Sequence, residues 1–299
     1  KSIMHRRQFL KSSSLVLFSP FVDKKRNHSI DLTRFKIGLQ LFSVRDAMTE
    51  NPIKTLKSLK RMGYEDFETY GFDAINNKYY GFSPFEFKSI IKDLNLSTSS
   101  GHYGVNNIME KSDSFIKKYI DSCINAALTL EDKYIVFPSL NEKYHSFEGY
   151  KFLIKKLNQM GKQISEAGLN FAYHNFGYDL NFYQEKFGLD WIIEETNPEW
   201  VKLEVDFYWV MHADKISPKK LIEKAKGRFK LWHIKDMHKI TKDYTELGNG
   251  SINYNEILPN PESSGLEYLY LEQGGNYSLN SMQSAFESIN FLKKNIIKK

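Results

Sequence analysis

One cysteine, Cys123, is all that the 299 residues contain, so no internal disulfide framework can form and the redox compartment leaves no mark on the chain. Its setting, "YIDSCINAAL", is an apolar helical pattern in which a thiol reads as a small core residue rather than a nucleophile. No run comes near the roughly 20 apolar residues that a membrane helix needs, so no integral membrane segment is expected. A basic face is missing as well. The net charge of +6 resides in residues 1–30, where Lys1, Arg6, Arg7, Lys11, Lys24, Lys25 and Arg26 are opposed only by Asp23. The remainder is neutral overall, and since its "KKNIIKK" end is itself basic, the body before that end is mildly acidic, which speaks against a nucleic-acid partner. Beyond a short "GNG" at 248–250 there is no Gly-rich phosphate loop, which disfavours a phosphorylated substrate.

What is present begins with a leader. "HRRQFLKSSSLVLFSPFV" joins an arginine pair to a short apolar stretch, a basic region followed by a modest hydrophobic one. It resembles a twin-arginine export signal with Arg6 and Arg7 as the pair, which implies export, to a periplasm in the simplest case. Residues 1–34 are therefore set apart as leader and linker, leaving 35–299 as one domain. With 41% hydrophobic and 15% aromatic residues, that length suffices for a single large core.

The body has a rhythm in which short β-rich runs alternate with helical patterns, the mark of βα units around a parallel sheet. "FKIGLQLFSV" (35–44) precedes the helix "NPIKTLKSLKRMG", opened by Pro52 and stopped by Gly63. "YEDFETYGF" precedes a helix over 84–94, "LSTSSGHYG" one near 111–128, and "KYIVFPS" one over 146–167. "FAYHNFGYDL" (171–180) is followed by a helix over 187–195 and "VKLEVDFYWV" by one over 217–226; "FKLWHIKDM" and "LEYLYLEQGG" complete the set, closed by a helix over 279–296. Eight such units predict an α/β fold, a single (β/α)8 TIM barrel.

In that fold, side chains at the C-terminal ends of the strands converge on one mouth, where the chemistry is done. His174 ends the fifth run, Asp206 the sixth, His233 the seventh and Glu272 the eighth. The two-residue period of a strand sends Leu203 and Val205 outward and Glu204 and Asp206 inward; likewise Leu269 and Leu271 point out while Tyr268, Tyr270 and Glu272 point in. Taken singly, His174 reads as a hydrogen-bonded core residue, Asp206 as a cap and Glu272 as a partner for a basic side chain. Taken together, two carboxylates and two imidazoles on adjacent strands are costly to bury unpaired, and one divalent cation satisfies all four.

These residues also carry a resemblance. "IGLQLFSVRD", "YHN" at 173–175, "HIKDM" at 233–237, "ELGNG" at 246–250 and "LEQ" at 271–273 resemble the sugar phosphate isomerase/epimerase family, the xylose isomerase-like TIM barrels, over residues 35–295. The resemblance implies one divalent metal ion (manganese, zinc, cobalt or magnesium), a small-molecule carbohydrate as partner, and a homo-oligomer as a common state. It places Asp206, His233 and Glu272 at three of the four ligand positions. His174 stands where many epimerases of the family have a glutamate, and Phe176 where many relatives have a second histidine, so a two-carboxylate proton shuttle is incomplete.

What survives is metal-assisted formation of an enediolate from a sugar or keto-sugar. A proton returned to the neighbouring carbon gives isomerisation; a leaving group expelled from the β carbon gives the lyase or dehydratase outcome. Glu272 is the first candidate for the base and Lys235, on the same face as His233, the second. Glu68 and His102 end the second and third runs and are candidates for sugar hydroxyls, with Tyr103 and Trp209 as aromatic walls beside Tyr208 and Phe176. Two other classes stand beside the enzyme: a carbohydrate-binding barrel without turnover, and a DNA-repair endonuclease, against which the neutral body and the small number of ligand residues argue.

Overall fold

Eight parallel strands close on themselves in chain order: β1 (Ile37–Gln40), β2 (Asp66–Tyr70), β3 (Ser97–His102), β4 (Tyr134–Phe137), β5 (Asn170–His174), β6 (Val201–Asp206), β7 (Phe229–Ile234) and β8 (Tyr268–Leu271). β1 pairs with both β2 and β8, so the sheet has no edge. This computed structural model describes residues 31–297, and the leader expected at 1–34 lies almost wholly outside the described residues.

The helices begin where the sequence supplies caps. Asn51, Ser83, Ser112, Ser146, Ser217 and Asn280 each accept a backbone N–H of the helix that follows, and Ser83 forms a reciprocal capping box with Glu86. Pro52, Pro84 and Pro218 occupy the first helical turn, where no amide hydrogen is needed. Gly63 ends its helix with φ +98°, a left-handed conformation that a side chain disfavours. Cys123 is buried in the helix Asp113–Leu130, and burial raises its pKa, consistent with a core thiol.

Some elements depart from the sequence pattern. The first run is strand only to Gln40, whose side chain accepts from Phe42 N and turns the chain into a 3-10 turn, Leu41–Val44. The predicted helix over 279–296 is α-helical over Ser281–Phe291 and continues as a π-turn, Leu292–Ile296. Two small ribbons, Phe182–Tyr183 with Lys186–Phe187 and Asp236–Met237 with Tyr244–Thr245, decorate the loops after β5 and β7.

Tyr134, Val136, Ala172, Leu231 and Tyr270 form a separate apolar cluster within the barrel, a plug beneath the mouth. Tyr270 fits because β1 carries Gly38 opposite it; a Cβ there would stand 2.3 Å from the Tyr270 ring. Among the described residues no helix is long and apolar enough to cross a membrane.

Candidate metal centre

His174, Asp206, His233 and Glu272 each offer a donor atom, and the four atoms lie within 4.8 Å of one another. Local structure aims them. Asp206 Oδ1 accepts from Tyr208 N at 2.9 Å and so caps the helix Phe207–Ala213, which leaves Oδ2 turned toward His174 Nε2 at 3.4 Å. Asn175, the amide that follows His174, accepts from Asp206 N at 3.0 Å and ties the ends of β5 and β6 together. His233 Nδ1 stands 2.7 Å from Glu272 Oε2. Both ring nitrogens of His174 are buried without a hydrogen-bond partner, while Asp206 Oδ2 and Glu272 Oε2 are each met by the Lys235 ammonium at 2.6 Å. Orphaned buried nitrogens are costly, and here they converge with the carboxylate oxygens on one point as N and O ligands of a divalent cation would.

A second group lies deeper and shares His233. Glu68, His102, Glu204 and His233 also come within 4.8 Å, but these residues answer one another. His233 donates Nε2–H to Glu68 Oε2 at 2.6 Å and lies 3.1 Å from Glu204 Oε1. His102 Nε2 is 2.9 Å from Glu204 Oε2 and 3.1 Å from Glu68 Oε2. Gln40 Nε2 and Ser100 Oγ donate to the two oxygens of Glu68 at 2.7 and 2.6 Å. With Nε2 committed downward, His233 has Nδ1 left for the upper group, the arrangement in which a carboxylate fixes the tautomer of a metal-binding imidazole.

The electrostatics separate the two groups in the same way. Burial, helped by the neighbouring charge of His233, holds down the pKa of His174 against Asp206 and Glu204 and favours the neutral ring. Burial also opposes charge on His102, but Glu68 and Glu204 outweigh it and raise the ring to about 9. His233 is raised well above the usual value, burial being overcome by Glu204, Glu272 and Glu68. Burial works against ionisation of Asp206 and Glu272 too, yet Lys235 with the nearby histidines lowers both, so they remain carboxylates.

The most specific sequence motif is a scaffold for this centre. Asp236 of "HIKDM" accepts backbone N–H groups from Met237, Gly248, Gly250 and Ile252 at 2.8–3.2 Å, wrapping the "ELGNG" loop around its carboxylate. A Cβ on Gly250 would fall 2.0 Å from Asp236 Oδ1, so glycine is required there. Glu246 in turn accepts from Ser278 N, Ser278 Oγ and Ser284 Oγ, fastening the loop after β7 to the one that follows Glu272. Burial opposes its charge, but these donors lower its pKa to about 2.

Above the donors a cavity of about 540 Å³ opens at the C-terminal mouth, lined by His102, His174, Lys235, Glu272, Phe176 and Tyr244 among others. A cavity of about 590 Å³ at the opposite end, between Lys36, Lys92, Lys133 and Tyr268, holds neither donor group. Of the residues expected at the site, the structure brings together His174, Asp206, His233, Glu272, Lys235 and His102. Three expectations are corrected. Glu68 is fully buried beneath the mouth, locked by Gln40, Ser100 and His233, and so positions His233 instead of meeting substrate. Tyr103 points out of the barrel, packs on Phe72 and shares a 2.6 Å hydrogen bond with Tyr79. Trp209 packs at a tilt against Phe176, ring centres 5.0 Å apart, and backs the wall of the cavity rather than forming it. Glu204 faces inward as its alternation with Asp206 predicts, but that alternation carries no sign of its pairing with His102 and His233.

Comparison with known proteins agrees with this architecture. A sugar phosphate isomerase/epimerase from Parabacteroides distasonis superimposes with TM-score 0.74 at 24% identity, over 88% of this chain and 96% of that one. The probable 3-DHS dehydratase involved in petrobactin synthesis from Bacillus anthracis matches with TM-score 0.66 at 13% identity, over 87% and 100%. A xylose isomerase-like TIM barrel protein from Mycobacterium smegmatis in complex with magnesium matches with TM-score 0.57 at 13% identity, over 89% and 98%. At these identities the likeness is one of fold. No curated protein matches the sequence. The family model of the xylose isomerase-like TIM barrel matches residues 56–295, and the chain belongs to that family.

Proposed function

We propose that this chain is a divalent-metal-dependent enzyme of the isomerase/epimerase type that removes the proton beside a carbonyl of a sugar or keto-sugar. One observation carries the reading: four donors from adjacent strand ends lie within 4.8 Å of one another, and among them both buried ring nitrogens of His174 have no hydrogen-bond partner. A bound manganese, zinc, cobalt or magnesium ion would supply Lewis acidity toward the carbonyl and neighbouring hydroxyl oxygens. Glu272, ionised and lining the cavity, takes the proton. The Lys235 ammonium beside it donates to the oxygen on which negative charge grows. His102, held by Glu68 and Glu204, lines the cavity and meets sugar hydroxyls, while Phe176 and Tyr244 exclude water along the ring face.

Return of the proton to the neighbouring carbon completes an isomerisation. β-Elimination is the second reading, favoured by two features of the centre. Lys235 and Glu272 stand 2.6 Å apart, so a base and an acid for a leaving oxygen lie side by side. His174 occupies the strand-five position, so no carboxylate faces Glu272 from there for a two-base epimerisation. Export by the twin-arginine-like leader belongs to the same proposal and rests on Arg6 and Arg7.

The test is elemental mass spectrometry of the purified protein, followed by a screen of free keto-sugars and keto-glycosides. About one ion per chain is expected, and an ultraviolet-absorbing enone among the products distinguishes elimination from isomerisation. Glu272→Gln should lower turnover by about 10²- to 10⁴-fold. Undiminished turnover in that variant removes Glu272 from the mechanism.

A further inference from the structure

Lys235 enters the donor set in an unusual way. Its Nζ lies 2.6 Å from Asp206 Oδ2 and 2.6 Å from Glu272 Oε2, the same oxygens that face His174 Nε2 and His233 Nδ1. An ammonium in contact with both carboxylates neutralises the charge that attracts a divalent ion and stands against the oxygens that would ligate it. We propose that the Lys235 ammonium and the divalent cation are alternative partners of the Asp206–Glu272 carboxylate pair, so that ion entry turns Lys235 out into the cavity. The inference rests on the metal reading above and adds to it an exchange built into the chain.

The surroundings allow that exchange. The backbone of Lys235 is pinned: its N donates to the Tyr254 hydroxyl, and the same hydroxyl donates to its carbonyl. Only the side chain is left to move, and its stem has four flexible carbons. The residue lines the cavity of about 540 Å³, and the Tyr244 ring centre lies 5.9 Å from Nζ, an aromatic face on which a displaced ammonium can rest. The deeper group cannot take over the role, because Glu68 and Glu204 are already matched by His102 and His233. Ion binding would therefore deliver the Lys235 charge to the part of the cavity where a substrate oxygen sits, joining loading of the centre to positioning of the acid.

The experiment is calorimetric titration of manganese chloride into the chelator-dialysed protein and its Lys235→Met and Lys235→Arg variants. Removing the ammonium should tighten binding by about tenfold or more, while the always-charged guanidinium should leave it weak. Equal or weaker binding to Lys235→Met, with measurable binding to the wild type, overturns the exchange and leaves the metal reading intact. No binding to any variant, with zinc chloride tried as well, overturns the metal reading and the exchange with it. Should Lys235→Met fail to fold, Lys235→Gln gives the same comparison. The wild type gives a readout without mutation: lysine-labelling reagents mapped by mass spectrometry should modify Lys235 faster when manganese is added. An unchanged labelling rate on a protein that binds the ion overturns the exchange.

Discussion

The two four-residue groups in the barrel share His233 and use similar chemistry, yet one is complete in protein alone and the other is not. In the deeper group each histidine meets carboxylates within about 3 Å, and Gln40 and Ser100 hold Glu68 from behind. In the upper group His174 has no hydrogen-bond partner for either nitrogen, and Lys235 joins His233 in neutralising the carboxylates. A cluster of ligand-type side chains is thus not by itself a metal site; the two unanswered nitrogens of His174 set the proposed centre apart from the deeper group. The deeper group acts as a foundation that orients His233 for the upper one.

The harshest way to break this comparison is to remove the shared residue. His233→Ala should strip the upper group of an ion ligand and leave Glu68 and Glu204 buried with one imidazole between them. Breaking a buried ion pair from one side costs about 3–5 kcal/mol, so both the ion content and the urea midpoint should fall. A variant with full ion content would show that the donor set is misassigned. A gentler pair of changes separates the groups. His174→Leu should abolish tight ion binding while stability holds within about 1 kcal/mol, because it removes two unpartnered nitrogens rather than a bonded pair. Glu68→Gln should do nearly the reverse, weakening ion binding only about 10- to 100-fold by loosening His233. It should also cost about 1–3 kcal/mol of stability through the buried network it disturbs. If the two variants behaved alike in both assays, the distinction between foundation and centre would fail.

How far this was legible in the sequence follows from what alternation along a strand can and cannot say. The eight βα units, the mouth and the upper donors could be read because His174, Asp206, His233 and Glu272 are the last inward positions of their runs. The same two-residue period that turns His102 inward turns Tyr103 outward, so the packing of Tyr103 against Tyr79 was within reach of the rule. Alternation gives direction but not depth. The pairing registers shift between Phe67 and Glu68 and between Leu203 and Glu204, just before the two carboxylates of the deeper group. Such irregularities re-aim a side chain, and no residue type in "DFETY" or "KLEVD" announces them. Nor could spacing disclose that Asp236 gathers four backbone amides across a loop, since the two ends of that contact meet only after the chain has turned back.

The smallest expected effect sharpens the comparison through pH. His102 is raised to about 9 in the folded protein by Glu68 and Glu204 against the opposition of burial, while an unfolded histidine titrates near 6.5. A folded pKa above the unfolded one gives stabilisation that is complete below about pH 6.5 and lost as pH rises through about 9. His174 runs the other way: burial lowers its pKa, so its effect is felt as pH falls below about 6.5, where the unfolded chain takes up the proton more readily. With chelator present, unfolding free energies from urea titrations between pH 6.5 and 9 should therefore decline in the wild type, with on the order of 2 kcal/mol of the decline belonging to His102. His102→Gln should make that decline shallower, leaving the part that His233, also raised, contributes, and His174→Leu should leave the decline in place, since the titration belongs to the deeper group. A wild-type profile already as flat as that of His102→Gln would mean that the two carboxylates do not hold the His102 ring charged, and the deeper group would lose its standing as a self-sufficient foundation.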